Sequence, residues 1–194
     1  LLSPDFSQIL DHMHQQASAY ETANINNPHA PAPTFLIDGP SGSGKTTLAS
    51  EIEKHWNSTS QLQVIHMDDL YPGWDGLAQG AEKAMNLLRE RATGVDTQWQ
   101  RYDWETEVFA EWHSVDAREP VLIEGCGSLS AGTELLSQAR IWLDADTELR
   151  RERALSRSGE NFAEHWTQWD AQFENFVSLH NPQALATLHV LASE

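Results

Sequence analysis

Lysine is nearly missing from this chain. Only Lys45, Lys54 and Lys83 occur in 194 residues, against a formal net charge of −17. Binding nucleic acid requires a basic face that displaces counterions from phosphates, so no nucleic-acid partner is expected. The single cysteine, Cys126, excludes an intrachain disulfide, and no oxidising compartment is implied. Nowhere do eighteen apolar residues run together, so no membrane span is predicted. Leu1 to Tyr20 mixes histidine, glutamine and acids where an export signal would place a basic and then an apolar segment. The cytoplasm is therefore the expected location. Internal repeats and low-complexity tracts are also lacking.

What stands out is the stretch Gly39-Pro40-Ser41-Gly42-Ser43-Gly44-Lys45-Thr46-Thr47, entered from the apolar run Thr34-Phe35-Leu36-Ile37. It has the spacing G-x-x-x-x-G-K-[ST], and each fixed position has a task in holding a triphosphate. The glycines permit positive φ, which turns backbone N–H groups inward around phosphate oxygens. Lys45 supplies a point charge for the β- and γ-phosphates, and the Thr46 hydroxyl is a ligand for Mg²⁺. Leu48, Ile52 and Trp56 recur at i, i+4 and i+8, so a helix is expected to start near Lys45 and aim its positive dipole end at the same place.

Residues 1–33 read as a helix over about 4–20, with Phe6, Ile9, Leu10, Met13, Ala17 and Tyr20 on one face, followed by a linker rich in Asn, Pro and Ala. Residues 34–194 read as one domain. Apolar runs near 34–37, 62–67, 120–123, 140–144 and 185–191 predict five strands, separated by helical patterns at about 45–56, 77–93, 106–113 and 131–138. After Asp146 comes an arginine-rich helix, which Gly159 is expected to interrupt, and a second helix carrying Phe162, Trp166, Trp169, Phe173 and Val177. The fold class is α/β: a three-layer α/β/α sandwich around a five-stranded parallel sheet, with a short arginine-rich lid at about 150–161.

Three phosphate-loop chemistries compete. A guanine-reading switch uses an Asn-Lys-x-Asp run, yet no lysine follows Lys83. Motor classes end a core strand in Asp-Glu, whereas this third strand ends Leu-Ile-Glu-Gly. Phosphoryl transfer to a small-molecule hydroxyl fits better. Asp68 follows strand two, where a carboxylate can take the acceptor proton. Asp69 and Glu124 can hold Mg²⁺. Arg150, Arg153 and Arg157 fall at i, i+3 and i+7, one helical face that can close over the transferring group.

The glycine loop, Met67-Asp68-Asp69-Leu70-Tyr71, Tyr102-Asp103-Trp104, Ile123-Glu124-Gly125 and the arginine-rich helix together resemble the uridine kinase group of phosphate-loop kinases, which includes nicotinamide riboside kinase, pantothenate kinase and phosphoribulokinase. The resemblance spans residues 34 to about 158. It implies that Asp68 is the base, that Tyr71 and Asp103 contact the acceptor, and that Arg150, Arg153 and Arg157 belong to the lid. Asp69, Tyr102 and Glu124 are further candidates for the acceptor site. The chain departs from the group after Asp103, where Trp104-Glu105 replaces a His-Pro pair, and in its shorter lid. The expectation is an ATP- and Mg²⁺-dependent kinase, monomeric or homodimeric, whose partner is a small molecule with a free hydroxyl. The alternative is an ATP-binding regulator or ATPase with no such acceptor.

Overall fold

The computed structural model describes the backbone of residues 4–192, and the side chains of these except 4, 5, 155 and 157–162. Five parallel strands form the central sheet: β1 (Thr34–Asp38), β2 (Gln63–His66), β5 (Val121–Glu124), β6 (Ala139–Ala145) and β7 (Leu188–Ala192), in the order β2-β5-β1-β6-β7. β1 is buried along its whole length because it pairs on both edges and is covered on both faces. Its side chains alternate. Leu36 joins Ile65, Ile123 and Trp142 under α3 (Leu77–Arg91) and α4 (Thr147–His180), while Phe35 and Ile37 join Leu122 and Ile141 under α1 (Pro4–Ala23) and α2 (Lys45–His55). Period-two alternation thus divides one sheet between two cores. The short α5 (Pro182–Leu185) leads into β7.

α1 covers the sheet through Phe6, Ile9, Met13 and Ala17, all buried. On the opposite face Arg91, only 1% exposed, ends α3 and donates to the carbonyls of Ala32, Ala117 and Glu119 and to the Thr34 hydroxyl. Burial pulls its pKa down to about 10, which still leaves it charged at neutral pH. One guanidinium therefore ties the entries of β1 and β5 to α3.

Three expected elements differ. Residues 106–113 are not helical: β3 (Thr97–Asp103) and β4 (Val108–Val115) form an antiparallel hairpin outside the main sheet. Its cross-strand partners lie about ten residues upstream, with Trp99 stacked on His113 at 4.5 Å, Tyr102 against Phe109 at 5.3 Å and Arg101 on Glu111 at 2.6 Å. Such pairs stabilise a hairpin whatever the local spacing of apolar residues. The helix expected at 131–138 shrinks to a single 3₁₀ turn, Glu134–Leu136. The Thr133 hydroxyl bonds to the Ser128 carbonyl and accepts from the Ser130 N–H, competing with helical pairing. Gly159 does not break α4, which runs for 34 residues from its Asp146 cap. A glycine inside a helix costs about 1 kcal/mol, which burial of Trp169, Phe173 and Phe176 further along the same helix can offset.

Candidate active site

β1 delivers the chain into the glycine loop, and the loop follows from three positive φ values: 150° at Gly39, 79° at Gly42 and 99° at Gly44. Space reinforces the choice at Gly42, where a Cβ would stand 2.1 Å from the Arg150 carbonyl oxygen. Gly44 caps α2 in a left-handed conformation without a side-chain bond, leaving the helix N–H groups and dipole directed at the loop. The Lys45 ammonium donates to the Pro40 carbonyl at 2.8 Å and lies 3.7 Å from the Cys126 sulfur.

Asp38, at the end of β1, organises the loop from beneath. It is fully buried, and its carboxylate accepts from the backbone N–H of Gly39 at 2.7 Å, Gly127 at 3.1 Å and Leu129 at 2.9 Å. Burial pushes its pKa up to about 6 in spite of these donors and of Lys45. The phosphate loop and the loop after β5 are thereby fastened to one carboxylate. Sequence reasoning passed over Asp38, although a charge ending an otherwise apolar strand was the signal.

A cavity of about 800 Å³ opens above the carboxyl ends of β1, β2 and β5, where ligands bind in open α/β sheets. Ser41, Gly42, Gly44, Lys45, Thr46 and Thr47 line its phosphate end; Asp68, Tyr71, Tyr102, Glu124 and Arg153 line it as well. Glu124 is buried, and its Oε1 accepts from the Thr46 hydroxyl at 3.0 Å and pairs with His66 Nδ1 at 2.7 Å. That hydrogen bond is the main reason the His66 pKa is raised. Tyr71 is 1% exposed and donates its hydroxyl to the Cys126 carbonyl at 2.6 Å; burial above all raises the phenol pKa. Burial likewise raises the Cys126 thiol.

Other expected site residues lie elsewhere. Asp103 does not line the cavity: its carboxylate accepts from the backbone N–H of Glu105 and Thr106, which lowers its pKa and closes the hairpin turn. Asp69 is half-buried beside His66 and outside the lining, with its pKa raised mainly by burial. Arg150 turns back, donating to the carbonyls of Ala145 and Ser41, and supports the loop from outside the cavity. Gly39, Pro40 and Ser43 contribute loop backbone without lining the cavity. The Arg157 side chain lies outside the described residues. The lining also includes Trp74, Trp104, Glu107, His165 and Trp169. Trp74, His165 and Trp169 come from segments far apart in the chain, so no local signal marked them.

The donor set suits Mg²⁺. This ion keeps several waters and takes one or two protein oxygens together with substrate phosphates, and the adjoining Thr46 hydroxyl and Glu124 carboxylate provide two. Among the described residues no group of three or more His, Cys, Asp or Glu could hold a metal by itself. No helix among them is long and apolar enough to cross a membrane.

Comparison with known proteins agrees with this architecture. No curated protein matches the sequence. A possible uridine kinase from Bacillus stearothermophilus superposes with a TM-score of 0.60 at 18% identity, covering 91% of this chain and 98% of its own. D-glycerate 3-kinase from Cryptococcus neoformans gives 0.57 at 12% identity, with 95% of this chain and 88% of its own covered. The AAA_18 family, described as an AAA domain, matches residues 36–172, well over half of the sequence. The chain therefore belongs to the AAA_18 family, and its fold is that of the uridine kinase-like phosphate-loop kinases.

Proposed function

We propose that the chain is an ATP- and Mg²⁺-dependent kinase that transfers the γ-phosphoryl group of ATP to a hydroxyl of a small molecule such as a nucleoside or a polyol. The observation that carries this reading is one cavity lined at one end by the phosphate loop and further along by Asp68. Its volume of about 800 Å³ lies in the upper part of the range for small-molecule pockets.

In this reading the loop amides and Lys45 bind the β- and γ-phosphates. Asp68 accepts the proton of the acceptor hydroxyl as its oxygen bonds to the γ-phosphorus. The bond from that phosphorus to the bridging oxygen breaks, and ADP departs with the electron pair. Thr46 and Glu124 would hold Mg²⁺, which when bound neutralises charge on the phosphates. His66 orients Glu124 through the 2.7 Å contact. Arg153, from α4, can offer its guanidinium to the transferring group.

ADP release is measured with Mg-ATP against nucleosides, polyols and sugar acids, beside a no-acceptor control and Lys45→Ala. Stimulation by one acceptor, lost in Lys45→Ala, is the expected result. ATP binding with no stimulation by any acceptor would overturn the kinase in favour of a regulator.

A further inference from the structure

One wall of the cavity is a packed aromatic cluster. His165, from α4, lies flat on Trp74 at 4.4 Å and 13°, and Trp74 touches Trp104 at 4.8 Å. The Trp104 indole N–H donates to the Asp68 carbonyl at 2.8 Å. The rings fill the space between themselves, so a ligand lies over the cluster and not within it. His165, Trp74, Trp104 and Asp68 all line the cavity. Two ring contacts and one hydrogen bond thus connect a histidine of the long helix with the aspartate that follows β2.

His165 is held by its ring face and by one ring nitrogen. Its Nδ1 lies 3.0 Å from Gln168 Oε1, and Gln168 Nε2 donates to the Asp75 carboxylate at 2.6 Å. A carboxylate only accepts, so the Gln168 amide turns its N–H₂ towards Asp75 and its oxygen towards His165. That oxygen is an acceptor too, so the hydrogen between them must sit on Nδ1. In the neutral ring the lone pair is then on Nε2. Among the described residues Nε2 has no hydrogen-bond partner, the only hydrogen bond of the ring being the one at Nδ1. Stacking and the Asp75–Gln168 chain together fix both the ring plane and the tautomer before any ligand enters.

Asp68 and Glu107, whose carboxylates also can only accept, line the same cavity. Two neighbouring donors are already used inside the protein, Tyr71 on the Cys126 carbonyl and Trp104 on the Asp68 carbonyl. Such a lining calls for a ligand that brings donors of its own. We propose that His165 is a specificity-determining contact for the acceptor molecule. Its Nε2 accepts a hydrogen bond from a hydroxyl or N–H other than the hydroxyl that meets Asp68, and Gln168 and Asp75 are positioning residues. A simple alcohol with one hydroxyl would displace water from Nε2 without replacing its hydrogen bond, and is disfavoured. The inference rests on the kinase reading for the hydroxyl at Asp68, but not for the contact at Nε2.

Long-range proton–nitrogen NMR spectra of the full chain, labelled with ¹⁵N at histidine and recorded at about pH 8 where imidazole is ordinarily neutral, report the tautomer directly. His165→Phe assigns the signal. The Nδ1–H form should dominate, and Gln168→Leu, which removes the outer amide, should shift the ring towards the Nε2–H form. Uridine, D-ribose, xylitol and myo-inositol are then titrated in with Mg-ADP present. At least one should move the Nε2 resonance. The same compound should bind about tenfold more weakly to His165→Phe, equivalent to about 1.4 kcal/mol, although phenylalanine can keep the flat contact with Trp74. Gln168→Leu should weaken it about threefold, with thermal melts reporting folding and ADP titration reporting the nucleotide site in both variants. A dominant Nε2–H form in the wild type, no response of Nε2 to any of the four compounds, or equal binding by His165→Phe overturns the inference. ADP release from Mg-ATP, measured in parallel, separates the two readings. Turnover of an acceptor that leaves Nε2 unmoved removes the contact and keeps the kinase, whereas binding at Nε2 with no acceptor-driven ADP release keeps the contact and removes the kinase.

Discussion

Asp38→Asn tests the claim that one buried carboxylate fastens the two loops of the site. The folded pKa of Asp38 is raised from 3.8 to about 6, by burial first. Between these values the folded chain retains a proton that the unfolded chain has released, so the contribution of Asp38 to stability falls as pH rises from about 4 to about 6. At about 1.36 kcal/mol per pKa unit, the whole decline is about 3 kcal/mol. Asparagine does not titrate, and it sets an amide N–H₂ against one of the backbone donors now satisfied at Gly39, Gly127 and Leu129. That mismatch costs about 1–3 kcal/mol at every pH. Urea unfolding of both proteins at pH 4.5, 5.5, 6.5 and 7.5 gives the stability difference. Its pH-dependent part belongs to Asp38, because every other group titrates in both chains. The wild-type advantage should shrink by more than 1 kcal/mol across the series. A difference independent of pH would refute the reasoning, since Asp38 would then ionise in the fold as it does in the unfolded chain.

Three further outcomes are expected. Asp68→Asn should lower acceptor-dependent kcat by about 10²-fold or more through loss of the general base, while a fluorescent ATP analogue binds with unchanged affinity; full turnover would remove Asp68 from that role. Gly42→Ala places a Cβ 2.1 Å from the Arg150 carbonyl oxygen at a φ of 79°, so it should impair nucleotide binding measured by calorimetry. Arg91→Met leaves the carbonyls that Arg91 now satisfies short of a donor in a buried setting, and should lower stability by about 2–4 kcal/mol in urea unfolding.

Much of the fold was legible because its signals are local. Apolar runs bounded by polar residues marked the five strands, and the glycine loop announced the first turn into a helix. The misread elements are those decided by distant partners. Residues 106–113 pair with a strand about ten residues upstream, and 131–138 yields to side-chain bonds from Ser130 and Thr133. The site divides in the same way. Lys45, Thr46, Asp68 and Glu124, singled out in the sequence, line one cavity because each lies just beyond or at the end of a strand or opens a helix at the sheet's carboxyl edge. Asp103, expected at the acceptor, instead caps its own turn outside the lining, a use that an aspartate's spacing in the sequence does not distinguish from a ligand contact.

The sequence by itself determined the five strands of the parallel sheet, the phosphate loop and the acidic residues just after β2 and at the end of β5, all readable from spacing within a few residues. Tertiary structure decided that Asp38 would bind two loops, that Asp69 and Asp103 would stand outside the cavity, and that Trp74, Tyr102, Trp104 and Glu107 would all line it. Those outcomes depend on strand order and on how a hairpin and a long helix pack against the sheet. Residues separated by tens of positions become neighbours only when burial of the two cores fixes those distances.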